Sequence, residues 1–260
     1  MPRIAIFSDI HANINALETT LDHLYKNGGA DLIYCLGDVV GYGPKPLECL
    51  AIARKTFQMT LKGNHEDAVL HGAKDFNEMA KRAIDWTRST IMPNYEQADD
   101  EQRANWAYLS SLPERFAEGM VQYVHGAPQD PVNEYIMPMD IDPQTRTYGQ
   151  KLYTSFTMTD WVTFCGHSHM PALYCQDGMF ISPTFQKEFS YRLQPDLRYI
   201  INVGSVGQPR DGDNRASYVV WEDGLVTWRR VAYDIQDTFN SVIMIRELDI
   251  TLGDRLFRGE

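Results

Sequence analysis

Short, unbroken apolar runs separated by amphipathic stretches set the pattern of the first sixty residues. Residues 3–7 (Arg-Ile-Ala-Ile-Phe), 32–36 (Leu-Ile-Tyr-Cys-Leu) and 58–61 (Gln-Met-Thr-Leu) read as strands. Between them, residues 13–26 place Ile14, Leu17, Leu21 and Leu24 on one helical face, stopped by Gly28-Gly29, and residues 46–54 supply a second helical stretch. Strand, helix, strand, helix, strand requires crossover connections, which favours a parallel sheet with ligands at the carboxyl ends of its strands. Two amphipathic helices are expected at 76–87 and 100–112, the second closed by Pro113, forming a cap or flank over about residues 74–112.

Beyond Glu114 the pattern turns to strands. Residues 120–124, 161–165 and 197–203 are apolar runs; 172–181 predicts a hairpin turning at Asp177-Gly178, and 216–221 with 225–231 another, turning at Glu222-Asp223-Gly224. Residues 234–248 predict a closing helix. So many strands fit one domain over residues 1–260 as an α/β, four-layer αββα sandwich: two central mixed β-sheets face to face, with helices outside.

Composition narrows the function. The 24 Lys and Arg are outnumbered by 35 Asp and Glu, a formal charge of -11, which disfavours stable binding to nucleic acid or anionic lipid. The first apolar run, Ile4 to Phe7, is too short for a signal peptide or membrane span, so the chain reads as cytoplasmic. Cys35, Cys49, Cys165 and Cys175 show no CxxC spacing and read as buried free thiols. Nothing in the pattern fixes an oligomeric state.

The chemistry gathers where apolar runs end. Asp9 and His11, Asp38, Asn64 and His65, His125, and His167 and His169 all follow such runs, several beside a glycine. Imidazoles, carboxylates and one amide oxygen without convergent thiolates suit Mn, Fe, Ni, Co or Zn better than Ca or Mg. Were the backbone extended, the two residues of Asp9-x-His11 and of His167-x-His169 would point the same way. Seven donors are too many for one zinc ion and about right for two ions sharing a carboxylate. Asp38, anionic and preceded by Gly37, is the bridge expected on this reading, and Asn64 offers a neutral oxygen. His23 and His71 read as structural or surface residues, Gly41-Tyr42-Gly43 as a turn, and the five tryptophans as packing. The loop 204–210 either is purely structural or presents Arg210 to a substrate phosphate.

The ordered set Asp9-x-His11, Gly37-Asp38, Gly63-Asn64-His65-Glu66, Val124-His125-Gly126 and Gly166-His167-Ser168-His169 closely resembles the calcineurin-like metallophosphoesterases. The resemblance implies one ion held by Asp9, His11 and His169, a second by Asn64, His125 and His167, and Asp38 bridging them. It implies that His65, outside the ligand set, binds or protonates the phosphate, and that a hydroxide bridging the ions attacks phosphorus. Residues 202–211 also look like the closing motif of the small bacterial phosphodiesterase branch, so the resemblance runs from Met1 to about Asp234. Protein Ser/Thr phosphatases usually continue the second motif with Asp-Arg-Gly; here Val39-Val40-Gly41-Tyr42-Gly43 follows, so the resemblance supplies no acid to orient His65.

A small-molecule phosphodiester is the substrate expected. A phosphomonoesterase or dinucleoside-polyphosphate hydrolase would use the same ions. A non-enzymatic scaffold of this fold would lack metal ligands, and none of the set is missing.

Overall fold

In the computed structural model, which describes residues 2–260 except Asp75, Tyr95 and Pro143, the expected alternation opens the chain. It runs β1 (Ile4–Phe7), α1 (Ile14–Lys26), β2 (Leu32–Cys35), α2 (Pro46–Thr56) and β3 (Met59–Thr60). Asn13 caps α1, its side-chain oxygen accepting from the Ala16 N–H. Three helices follow: α3 (Asn64–His71), α4 (Glu78–Ile91) and α5 (Asp100–Ser111). Helix α4 begins two residues later than the apolar spacing indicates, because Asn77 caps it through the Ala80 N–H. Asp75 and Tyr95, within the flank expected at about 74–112, lie outside the described residues.

The second half comprises β4 (Arg115–Glu118), β5 (Val121–Val124), β6 (Ile141–Asp142), β7 (Thr147–Tyr148), α6 (Gln150–Thr157), β8 (Val162–Cys165), β9 (Ala172–Cys175) and β10 (Phe180–Ile181). It continues through β11 (Glu188–Arg192), β12 (Tyr199–Asn202), β13 (Ala216–Glu222), β14 (Leu225–Val231), α7 (Ile235–Ile243) and α8 (Thr251–Asp254). The two predicted hairpins appear as β9–β10 and β13–β14.

Two six-stranded mixed sheets result, ordered β11-β14-β13-β1-β2-β3 and β10-β9-β12-β8-β5-β4, with β6 and β7 as a separate ribbon. Strands β1, β2 and β3 run parallel in the first; β5, β8 and β12 run parallel in the second. The alternation along β1 shows how one run serves two layers. Ile4 and Ile6 join Tyr34, Tyr123, Phe164, Ile201 and Trp228 between the sheets. Ala5 and Phe7 face outward onto Leu17, Leu21 and Leu24 of α1 and Leu50 of α2. A matching outer layer packs Leu152 and Phe156 of α6 on Val124, Cys165, Tyr174 and Ile200. Both faces of the central strands are therefore covered, which is why they read as continuous apolar runs. The αββα arrangement expected from the sequence is the one observed. No helix among the described residues is long and apolar enough to cross a membrane.

The inter-sheet layer yields a stability prediction. Phe164 is fully buried, stacks on Tyr123 at 5.5 Å and packs on Trp221 at 5.6 Å. Phe164→Ala is expected to lower the unfolding free energy by about 3–5 kcal/mol in urea melts. A loss below about 1 kcal/mol would mean that the two sheets are not held together by this layer.

Candidate metal centre

Each strand feeding this site ends on the same rim, and the chain then turns sharply. Asp9, His11, Asp38, His167 and His169 all adopt left-handed backbone, with φ of 53°, 49°, 53°, 64° and 60°. Non-glycine residues rarely accept this conformation, which costs about 1–3 kcal/mol each and gathers at functional sites. Hydrogen bonds hold the turns. The loops after β1 and β2 are zipped by Asp9 N–H to Gly37 O (3.0 Å), His11 N–H to Asp38 O (2.8 Å) and Ala12 N–H to Val39 O (2.8 Å). From the other side, Val206 and Gly207 donate to Ser8 O and Asp9 O.

Glu66 organises the second and third loops. Lying in the first turn of α3 and fully buried, its carboxylate accepts from the N–H groups of Asp38 (2.7 Å), Gly63 (2.9 Å) and Val40 (3.1 Å). Burial pushes this carboxyl up to about 7, the Asp38 charge adding to the effect and the three N–H groups opposing it. Gly63 is required where it stands, because a Cβ there would overlap the Asp38 carboxylate.

The donor atoms converge in two groups. Asp9, His11, Asp38 and His169 form one; Asp38, His125 and His167 form the other; within each, the ligand atoms lie within 4.8 Å of one another, and every residue is buried. Asp38 belongs to both, its Oδ2 lying 3.7 Å from His11 Nε2 and 3.4 Å from His125 Nε2. Asn64 Oδ1 sits 3.2 Å from His125 Nε2, on the second group.

Ring tautomers test whether a metal fits. His11 Nδ1 faces Val40 O (3.3 Å), His169 Nδ1 faces Gln208 O (2.6 Å), His125 Nδ1 faces Leu36 O (3.1 Å) and His167 Nε2 faces Asn133 O (3.0 Å). A carbonyl only accepts, so each of these nitrogens carries the proton, and the remaining nitrogen of each neutral ring is a bare lone pair. Those lone pairs confront each other: His11 Nε2 to His169 Nε2 at 3.1 Å, and His125 Nε2 to His167 Nδ1 at 3.1 Å. Two lone pairs at that distance repel unless a cation lies between them. Asp9 Oδ1, buried and without a hydrogen-bond partner, points the same way, 3.2 Å from His169 Nε2. Carbonyl-oriented imidazoles sharing a carboxylate are the donor set of a dinuclear divalent-metal site.

Charge follows from this crowding. Without an ion, burial opposes a charge on His125, but Asp38, joined by Asp9 and Glu66, offsets it and holds the ring up to about 9, so Nε2 carries a proton that a metal ion would displace to leave the lone pair described above. Burial drives His167 down to about 3, with the His125 charge reinforcing it. For Asp38, burial favours the neutral acid, yet His125 and then His65 keep the carboxyl well below its ordinary value.

All seven expected ligand residues and His65 meet at this rim, though not by the expected geometry. The Asp9-x-His11 and His167-x-His169 pairs are not extended but left-handed, and the histidine pair splits as the resemblance implies, His167 joining one group and His169 the other. His65 lies against the first group, 4.7 Å from the His11 ring, with its N–H donating to Asp38 Oδ1 (2.9 Å). In place of an acidic partner it has aromatic edges: Tyr42 at 4.3 Å and Phe76 at 5.2 Å, with Nδ1 buried and unpartnered. Burial, with Asp38 opposing and Arg210 assisting, lowers it to about 4. Arg210 reaches the same edge. Its N–H donates to His169 O (3.3 Å), its guanidinium to Gln208 Oε1 (2.8 Å), and Cζ lies 5.9 Å from the Tyr42 ring.

Sequence reasoning missed three residues. Tyr42, in the segment read as a turn, touches both His11 and His65. Tyr135 stacks on His167 at 3.6 Å. Arg255, from the chain's last turn, lies 4.6 Å over Tyr42. None directly follows an apolar run or falls within the motifs that carry the resemblance. His23 bonds the Tyr218 hydroxyl and His71 is exposed, as expected.

The calcineurin-like phosphoesterase family model matches residues 2–202, ending before the 204–210 loop. An uncharacterized protein of Methanocaldococcus jannaschii is 36% identical over 265 residues, covering 98% of each chain. A metallophosphoesterase from Sphaerobacter thermophilus superposes with a TM-score of 0.80 at 35% identity, covering 100% of this chain and 99% of the other. A hypothetical protein from Pyrococcus horikoshii shares the fold, with a TM-score of 0.72 at 16% identity over 99% and 98% of the two chains.

Metal analysis of the purified protein should find about two divalent ions per chain. Asp38→Asn should weaken both sites together, whereas Asp9→Asn should empty chiefly one. Asp38→Asn protein that keeps two tightly held ions would assign the bridge to another residue.

Proposed function

The chain belongs to the calcineurin-like phosphoesterase family, and on that premise we propose that it hydrolyses small phosphodiesters. The observation that carries the diester reading is the space beside the metal centre. A cavity of about 260 Å³ opens against Asn64 and His167, and among the described residues no Lys, Arg, Asp or Glu lines it. A second ester substituent has room there, while no Lys or Arg among the described lining residues pairs with the extra charge of a monoester.

When bound, two divalent ions supply an acidified water as nucleophile and positive charge toward the phosphate oxygens. Asp9, His11 and His169 are proposed to hold one ion, Asn64, His125 and His167 the other, and Asp38 both. His65 is the proposed catalytic group. Its burial among aromatic edges keeps it beside the reacting phosphate, where an N–H donates to a phosphate or leaving-group oxygen. Arg210 is proposed to bind a nonbridging phosphate oxygen from the rim.

The donor set supports Mn, Fe, Ni, Co or Zn, with manganese suited to the oxygens of Asp9, Asp38 and Asn64. Four buried free cysteines suit a reducing compartment, which supports a cytoplasmic setting. We treat residues 1–260 as one metallophosphoesterase domain, with α4 and α5 as its helical flank.

Release of nitrophenolate from bis(4-nitrophenyl) phosphate well above that from the monoester or a dinucleoside polyphosphate is expected. The reverse order would reject the diester reading, and inactivity of metal-replete protein on all three would favour a scaffold. His65→Ala should lower kcat by about 10²–10⁴ with both ions retained. If His65 donates a proton, the loss should grow as the leaving alcohol becomes more basic; a uniform loss would make it a phosphate clamp, and normal turnover would remove it from the reaction.

A further inference from the structure

The cavity beside the metal centre has walls that the hydrolytic chemistry does not require. Tyr135, in the loop after β5, lies nearly parallel to the His167 ring, 3.6 Å away at 19°, yet remains 42% exposed where it borders the cavity. Phe76 and Tyr42 supply two further aromatic walls, both already in edge contact with His65. Asn77 and Asn133 add side-chain amides. The Asn133 backbone carbonyl accepts from His167 while its side-chain amide donates to Asp130 Oδ1 (3.4 Å) and keeps its Oδ1 as an acceptor; the Asn77 Oδ1 caps α4, which leaves its amide N–H groups for another acceptor.

Such a lining selects a chemical class. A second phosphate would have to compete with the ester phosphate for the paired ions, because no Lys or Arg stands among the described lining residues to hold it in the cavity itself. A quaternary ammonium suits an aromatic cage, but here it would sit against the ring of a metal-binding histidine, close to paired dications that repel it. A flat, uncharged ring with hydrogen-bonding edges meets every constraint: faces for the aromatic walls and edge atoms for the amides. The volume of about 260 Å³ falls just below the ~300–1,000 Å³ of sites that engulf a whole small ligand, which matches one ring system rather than two.

We propose that this cavity is a nucleobase subsite, bounded by Tyr135, Phe76 and Tyr42, and that the substrates are phosphodiesters with a nucleoside on one side. The substrate class rests on the phosphodiester reading; the binding of a base does not.

The test separates the two. Calorimetric titration of the purified, metal-bearing protein compares adenosine 5′-monophosphate with ribose 5-phosphate, which lacks only the base. The nucleotide should bind about ten- to a hundredfold more tightly. Tyr135→Ala should erase most of that preference with ribose 5-phosphate affinity and metal content unchanged, Tyr135→Phe should keep it, and Phe76→Ala should reduce it. In parallel, the 4-nitrophenyl ester of thymidine 5′-phosphate should show a lower KM than ethyl 4-nitrophenyl phosphate in the parent and not in Tyr135→Ala.

Equal affinity for nucleotide and sugar phosphate overturns the proposal. So does a preference that survives both alanine variants, or tighter binding of choline phosphate than of either probe. A base preference that vanishes in Tyr135→Ala, in a protein that hydrolyses no diester, upholds the base subsite and defeats the phosphodiester reading.

Discussion

Three backbone N–H groups donate into one buried carboxylate, Glu66, and the metal centre depends on that arrangement. The groups come from Asp38 and Val40 on one loop and Gly63 on another, so a single side chain fixes the spacing of the turns after β2 and β3. Asp38 can then present one oxygen to both donor groups, and α3 begins where Asn64 and His65 reach the rim. A buried acid with so many donors is well satisfied, whereas its removal would orphan three buried N–H groups at once. Within the Gly-Asn-His-Glu run, Glu66 thus has a local task that neither binds an ion nor touches substrate.

The centre also requires cooperation between the two sheets. Asp9, His11 and Asp38 hang from the first; His125, His167 and His169 hang from the second. Bonds such as His167 N–H to Asp9 Oδ2 and His125 Nδ1–H to Leu36 O cross between them. Packing in the inter-sheet layer therefore sets the separation of the donor groups. A shift of one sheet past the other would spoil both at once.

The sequence makes much of this legible because buried parallel strands and histidines at their ends are local signals. Runs such as 4–7 and 162–165 announce themselves since both faces are covered. Strands β4 and β11 do not, because they lie on sheet edges with mostly exposed residues and no sustained apolar run. Helix α6 is similarly hidden, with only Leu152, Ser155 and Phe156 buried in its eight residues. The ligand residues were readable one by one and the resemblance implied their partition between two groups, but strand alternation alone did not, since an extended backbone would have aimed His167 and His169 at one region. Left-handed turns decide that partition, and they are fixed by contacts from distant segments such as Gln208 and Asn133. Tyr42, Tyr135 and Arg255 escaped for the same reason.

The dispersal of the donors has a consequence for biogenesis. The first donor group takes residues from position 9 to position 169, and its His169 ring is oriented by a carbonyl at 208. Strand β1 has β13, some two hundred residues later, as one of its two neighbours in the sheet. On the ribosome, β1 thus emerges well before its β13 partner, and non-local pairing of this kind is slow to form. The amino-terminal half holds five of the seven donors, Asp9, His11, Asp38, Asn64 and His125, but the first group closes only with His169 and the second only with His167. Complete coordination in this architecture is therefore a late event, following assembly of both sheets, and until then the nascent chain carries a donor set short of its last two histidines.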